Sequence, residues 1–96
     1  MSYEVKIIDD EAVKIHKTVV HTFTVGDVED PQIYAAEPII KWENSDAGKF
    51  VMENSIGVPQ YHQQLDYNTY GYKYAITAKL KERDYLIWIL KYKEDK

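Results

Sequence analysis

The chain has 96 residues, of which 45% are hydrophobic and 29% charged, a balance that fits one folded domain and argues against disorder. It contains no cysteine, so disulfides, thiolate metal sites and cysteine nucleophiles are excluded together. Sixteen Asp and Glu against twelve Lys and Arg leave a net charge of −4, and Arg83 is the single arginine. Nucleic-acid readout favours arginine on a concentrated basic face, so a nucleic-acid partner is disfavoured. The acidic balance suits solubility or a basic protein partner.

No basic-then-apolar N-terminal segment reads as a signal peptide, and the longest apolar run, "LIWIL" at 86–90, is too short to span a bilayer. The expected location is therefore cytoplasmic, with no membrane partner.

In chain order, "SYEVKIID" reads as a first strand, with Tyr3, Val5 and Ile7 on one face, and "DDEA" at 9–12 as a turn. The second strand, "VKIHKTVVHTFTV", alternates with period two. Val13, Ile15, Val19, Phe23 and Val25 share one side, interrupted by Lys17 and His21, while Lys14, His16, Thr18, Thr22 and Thr24 share the other. "GDVEDP" breaks the pattern. Asp30 is a fair N-cap with Pro31 at the first helical position, which predicts a short helical turn at 31–36 and a restart at Pro38.

The main helix is expected over about 38–54, burying Ile39, Ile40, Ala47, Phe50 and Val51. Glu43 lands in the middle of that apolar side. Either it is buried and functional, or the helix bends near "ENSDAG", with Ser45 capping a second segment. Gly48 weakens the helix, and Gly57 suits its exit.

Three strands are expected to follow: "PQYHQQLDY", "GYKYAITAKL" and, after "KERD", "YLIWILKY". The predicted order is β-β-α-β-β-β: an α+β domain with an antiparallel sheet of about five strands and one helical layer on one face. In the fourth strand Tyr70, Tyr72 and Tyr74 run directly into Ile76, Ala78 and Leu80. That row is either the wide end of a core, with hydroxyls at its rim, or an aromatic binding platform. Gly71 marks a bulge or a close backbone approach. In the last strand Tyr85, Ile87 and Ile89 face one way, and Leu86, Trp88, Leu90 and Tyr92 the other.

Little in the sequence points to catalysis. On one continuous strand His16 and His21 face opposite sides and cannot share a metal ion. The serines lack a nucleophile elbow, and the isolated glycines form no phosphate-cradling loop. Glu43 with His62 or a tyrosine hydroxyl is the one acid–base pairing worth naming. The expectation is a protein that is not an enzyme, with no catalytic residues, no metal and no cofactor.

The segments "DPQIYAAEP" and "KWENSDAGKFVMENS", followed by "DYNTYGYKYAITAKLKERDY", resemble small uncharacterised proteins of marine T4-like bacteriophages. The resemblance covers roughly residues 19–92 and lies mainly in "YAAEP", the tryptophan, "GKFVMENS" and "TYGYKY". It implies no activity and supplies no site residues. It does imply a phage protein working in the host cytoplasm.

Two functions are expected to compete. The first is a small interaction module that binds a protein partner or itself, with Leu86, Trp88 and Leu90 as interface. A last strand apolar on both faces, with one helical layer available, leaves an apolar sheet face for a two-fold dimer or for the 26–37 segment to cover. The second is a small-molecule or peptide binder, using a pocket lined by Tyr70, Tyr72 and Tyr74 with Trp42 or His62 at its mouth.

Overall fold

In the computed structural model, which describes residues 3–68 and 70–93, seven elements follow one another. They are β1 (Tyr3–Ile8), β2 (Glu11–Val25), α1 (Pro31–Glu43), α2 (Asp46–Asn54), β3 (Gln60–Asp66), β4 (Gly71–Lys81) and α3 (Glu82–Lys91). The strands form one antiparallel sheet in the order β1-β2-β4-β3. The α+β class and the antiparallel sheet are as expected, but among the described residues there are four strands, not five, and three helices.

The missing strand is α3. Tyr85, Trp88, Ile89 and Tyr92 recur at a spacing of three and four, so a helix turns all four inward, where Tyr85 and Trp88 are buried. Glu82 and Asp84 in the first turn and Lys91 in the last complement the helix dipole.

β1 and β2 join through Asp9 and Asp10, both at positive φ (52° and 65°), the two-residue turn whose twist matches the flanking strands. β2 pairs with β4 from Ile15 to Val25, but the register shifts between Val19 and His21. Val20 is the extra residue of a β-bulge, and side-chain parity reverses there. His16, Thr18, His21 and Phe23 therefore stand opposite Leu80, Ala78, Ile76 and Tyr74, on the helix-covered side. Ile15, Lys17 and Val19 point the other way, contrary to the unbroken alternation expected.

α1 runs straight through Pro38 rather than restarting there. A proline inside a helix forfeits one bond to the carbonyl four residues back. That residue, Tyr34, is exposed, so water can serve its carbonyl. The expected bend falls at Asn44–Ser45, where Ser45 Oγ accepts the Gly48 amide at 3.1 Å and caps α2. Gly48 is present for space: a Cβ there would overlap the Trp42 carbonyl. At Gly71 a Cβ would lie 2.6 Å from the Val25 carbonyl oxygen, the close backbone approach anticipated.

The core lies between one sheet face and the helices. Val51, Ile76 and Leu80 are fully buried, together with Val20, Trp42, Ala78, Tyr85 and Trp88. Each fully buried aliphatic side chain contributes about 1.5–3 kcal/mol. A second cluster joins Val25, Ala35 and Tyr74, with Phe23 and Tyr72 packed against it. Phe50 is half-buried against Tyr92, while Val51 makes the deeper contact.

Candidate functional site

The helices cover one face of the sheet, and the register fixes what the other presents. Lys6 comes from β1, Lys17 from β2, and Lys73, Lys79 and Lys81 from β4. Thr22, Thr24 and Thr77 lie among them, with Gln60, His62 and Gln64 from β3. Lysines fit here because the face is open: the ammonium stays in water while the stem lies along the sheet. Ile15, opposite Glu4 and Lys81, is nonetheless fully buried, an apolar floor beneath the charged groups.

Carboxylates are sparse on this face. Glu4 sits between two of the lysines, 3.3 Å from Lys79 Nζ and 3.9 Å from Lys6 Nζ. Register places Glu11 and Asp66 there too, at the two ends of the sheet. Asp66 is already engaged, its Oδ1 accepting the Asn68 amide at 3.0 Å. A depression of about 280 Å³ opens beside the Gly57 turn, with Lys6, Lys17, Lys79, Thr77 and Gln60 on its walls. The turn is tied to the sheet by the Ile56 amide, which donates to the Lys79 carbonyl at 2.8 Å. Around the Glu4 carboxylate Lys6 and Lys79 already show the chemistry the surface offers: two point charges converging on one anion.

The residues expected to form a binding pocket do not come together. Trp42 is buried under the helix layer, its ring stacked beside His21 at 5.9 Å between centroids. His62 is on the opposite, open face, with Nε2 3.0 Å from Thr77 Oγ1. Tyr72 and Tyr74 belong to the second core cluster. Tyr74 stacks on Phe23 at 5.1 Å, and its hydroxyl donates to Gln63 Oε1 at 2.9 Å. Burial raises the Tyr74 phenol above its ordinary pKa, with Tyr72 adding to the shift. Tyr70 leaves the row, at φ 57° and largely exposed. A core end, with its hydroxyl at the rim, describes Tyr74 and Tyr72.

The expected interface divides in the same way. Trp88 is 4% exposed and packed in the core, whereas Leu86 and Leu90, one turn apart, lie on the outer side of α3. There is no last strand to carry an apolar sheet face, and the open face bears lysines. A sheet-to-sheet dimer would set those lysines against their own copies, so the ground for that assembly is gone.

Parity reversal also moves the histidines. His16 and His21 now share the helix-covered side, but His16 stacks on Tyr85 at 4.3 Å, 3.5 Å from Glu82, while His21 stacks on Trp42. Glu43, at the end of α1, accepts the Tyr61 hydroxyl at 2.7 Å. Tyr61 is pushed up to about 12 by desolvation first, then by the hydrogen bond and negative charge of Glu43. At neutral pH it is a fixed donor that straps the edge strand β3 to the helix layer.

The sequence signal for the lysine face is the row of β4 that alternates with the tyrosines, Lys73, Ala75, Thr77 and Lys79; Lys17 belongs with it and not, as expected, on the apolar side of β2. Among the described residues no helix is long and apolar enough to cross a membrane. Comparison with protein-family models, with curated proteins and with solved structures finds no match for this chain.

Proposed function

We propose that the chain is a non-enzymatic interaction module that docks an acidic surface of a protein partner through the open, lysine-bearing face of its sheet. The observation that carries this reading is charge segregation. Five lysines and three carboxylates from the strands share one uncovered face, leaving seven Lys and Arg against thirteen Asp and Glu for everything else. A local excess of one sign on a chain of the opposite net sign steers complementary partners and repels copies of itself in the same orientation.

Protein is favoured over nucleic acid for two reasons. The chain's single arginine lies in α3, off this face. The sheet's Phe23, Tyr61, Tyr72 and Tyr74 stand by register on the covered side, away from any bases they would stack on. The resemblance to phage proteins supports the host cytoplasm as the place where such a partner is met.

The test is an NMR titration with a glutamate-rich peptide at low salt. Amide shifts concentrated at Lys17, Thr77 and Lys79, lost in Lys17→Glu with Lys79→Glu but kept in Lys41→Glu with Lys49→Glu, are the expected result. Shifts scattered over the helix layer would overturn the assignment. Tighter binding of duplex DNA by the same lysines would replace the acidic protein with nucleic acid.

A further inference from the structure

A second cavity lies on the other side of the molecule. It measures about 440 Å³, within the range of small-ligand pockets, and opens between β2, α1, α2 and the end of α3. Three departures from regular backbone converge on it. The β-bulge places Val20 and His21 on its wall. Pro38, inside α1, forms another side. The α1–α2 break contributes Ser45. Irregularities that a regular fold would have avoided gather where a site needs shape, and bulges are frequent beside functional sites.

The lining has a definite chemistry. Trp42 and the His21 ring stacked beside it (17°) form the aromatic side of the cleft, and Val20 and Ala47 extend the apolar surface. The polar residues of the lining are Lys41, His21, Ser45 and Tyr92. Among the described residues no carboxylate lines the cavity.

We infer that this cleft binds a small planar aromatic acid. The ring system lies against the Trp42–His21 wall, and the carboxylate reaches Lys41 at the mouth. A charge-assisted contact to an exposed lysine selects the acid over its neutral analogue, and the apolar walls supply the rest of the affinity. This site is independent of the lysine face and does not require a protein partner.

The test uses indole-3-acetate and its neutral counterpart, indole-3-acetamide, as probes in NMR titrations of the isotope-labelled chain. Shifts are expected at Val20, His21, Lys41 and Ala47, with the acid bound about tenfold more tightly than the amide. Lys41→Ala should erase that difference, and Ala47→Leu, which fills the cleft, should abolish binding of both. Should Ala47→Leu fail to fold, Lys41→Ala at its exposed position carries the test alone. No shift at cleft amides up to the solubility limit of the probes would overturn the site. Equal binding of acid and amide, or a preference for the acid that survives Lys41→Ala, would overturn the acidic-ligand assignment.

Discussion

Gly48→Ala reverses the sign that helix propensity alone would give. In an unencumbered helix the change stabilises by about 1 kcal/mol, because alanine loses less backbone entropy than glycine. Gly48 has no positive φ, so nothing in its own backbone resists a side chain. The obstacle is external. A Cβ would overlap the Trp42 carbonyl oxygen, with the carbonyl carbon at 2.6 Å and the Glu43 Cα at 3.0 Å. These are main-chain atoms at the end of α1, and no rotamer change relieves them. The α1–α2 joint must open, which strains the packing of Trp42 and Val51 and stretches the Ser45 cap on the Gly48 amide. Overpacking of this kind costs about 1–3 kcal/mol and a weakened cap about 1 more. After the propensity gain, the expected net loss is about 2 kcal/mol, or about 8–16 °C in Tm for a domain of this size. Urea unfolding of Gly48→Ala is the assay, with Gly26→Ala as control, since a Cβ at Gly26 meets nothing within 4 Å. A Gly48→Ala protein as stable as the parent, or more so, would show that α2 does not pack on the end of α1 as described.

Two further outcomes follow from the packing and the electrostatics. Val51→Ala should lose about 2 kcal/mol in urea unfolding, because the side chain is fully buried beneath the sheet; a loss under about 0.5 kcal/mol would remove it from the core. Tyr61 should ionise near pH 12 instead of 10, so its contribution to stability is complete below pH 10 and fades as pH rises through 12. Tyrosinate absorbance should lose one late-ionising phenol in Tyr61→Phe, and Glu43→Gln should return Tyr61 only part of the way, because desolvation is the larger cause. Ionisation of Tyr61 near pH 10 would contradict the strap.

What was legible in the sequence was local. The turn after β1 (expected over 9–12, observed as Asp9–Asp10 alone), the capping serine and the glycine approach at Gly71 each depend on a few neighbouring residues. "YLIWILKY" failed as a strand because a short apolar run fits either period. Read at period two, both sides look buried. Read at 3.6, Tyr85, Trp88, Ile89 and Tyr92 form the inner stripe, and Leu86 and Leu90 fall outside it, at 51% and 85% exposure. Those two outward leucines obscured the helix, and the acids of "ERD" at its start were the signal that decided against a strand.

The open face was illegible for a different reason. Alternation is a parity argument, and one inserted residue reverses it for everything on the far side of the insertion. At Val20 nothing in the side chains announces a bulge: "TVVHT" continues the β-branched run on both sides of it. The cost of the unbroken alternation appears only against β4. Without the bulge, Lys17 would stand on the covered side, in the row that reaches Ala78 and Leu80, and an unpaired ammonium under the helices costs several kcal/mol. With it, Lys17 faces solvent beside Lys79, and His16 takes the inner place, stacked flat on Tyr85. The interruption of the apolar row by Lys17 and His21 was therefore informative, but as a discontinuity of register and not as two polar intruders in a core. The inserted residue lets Lys17 join the cationic face while His21 stays on the covered side, beside Trp42 at the second cavity, so the two surfaces can coexist only through one irregular step in β2.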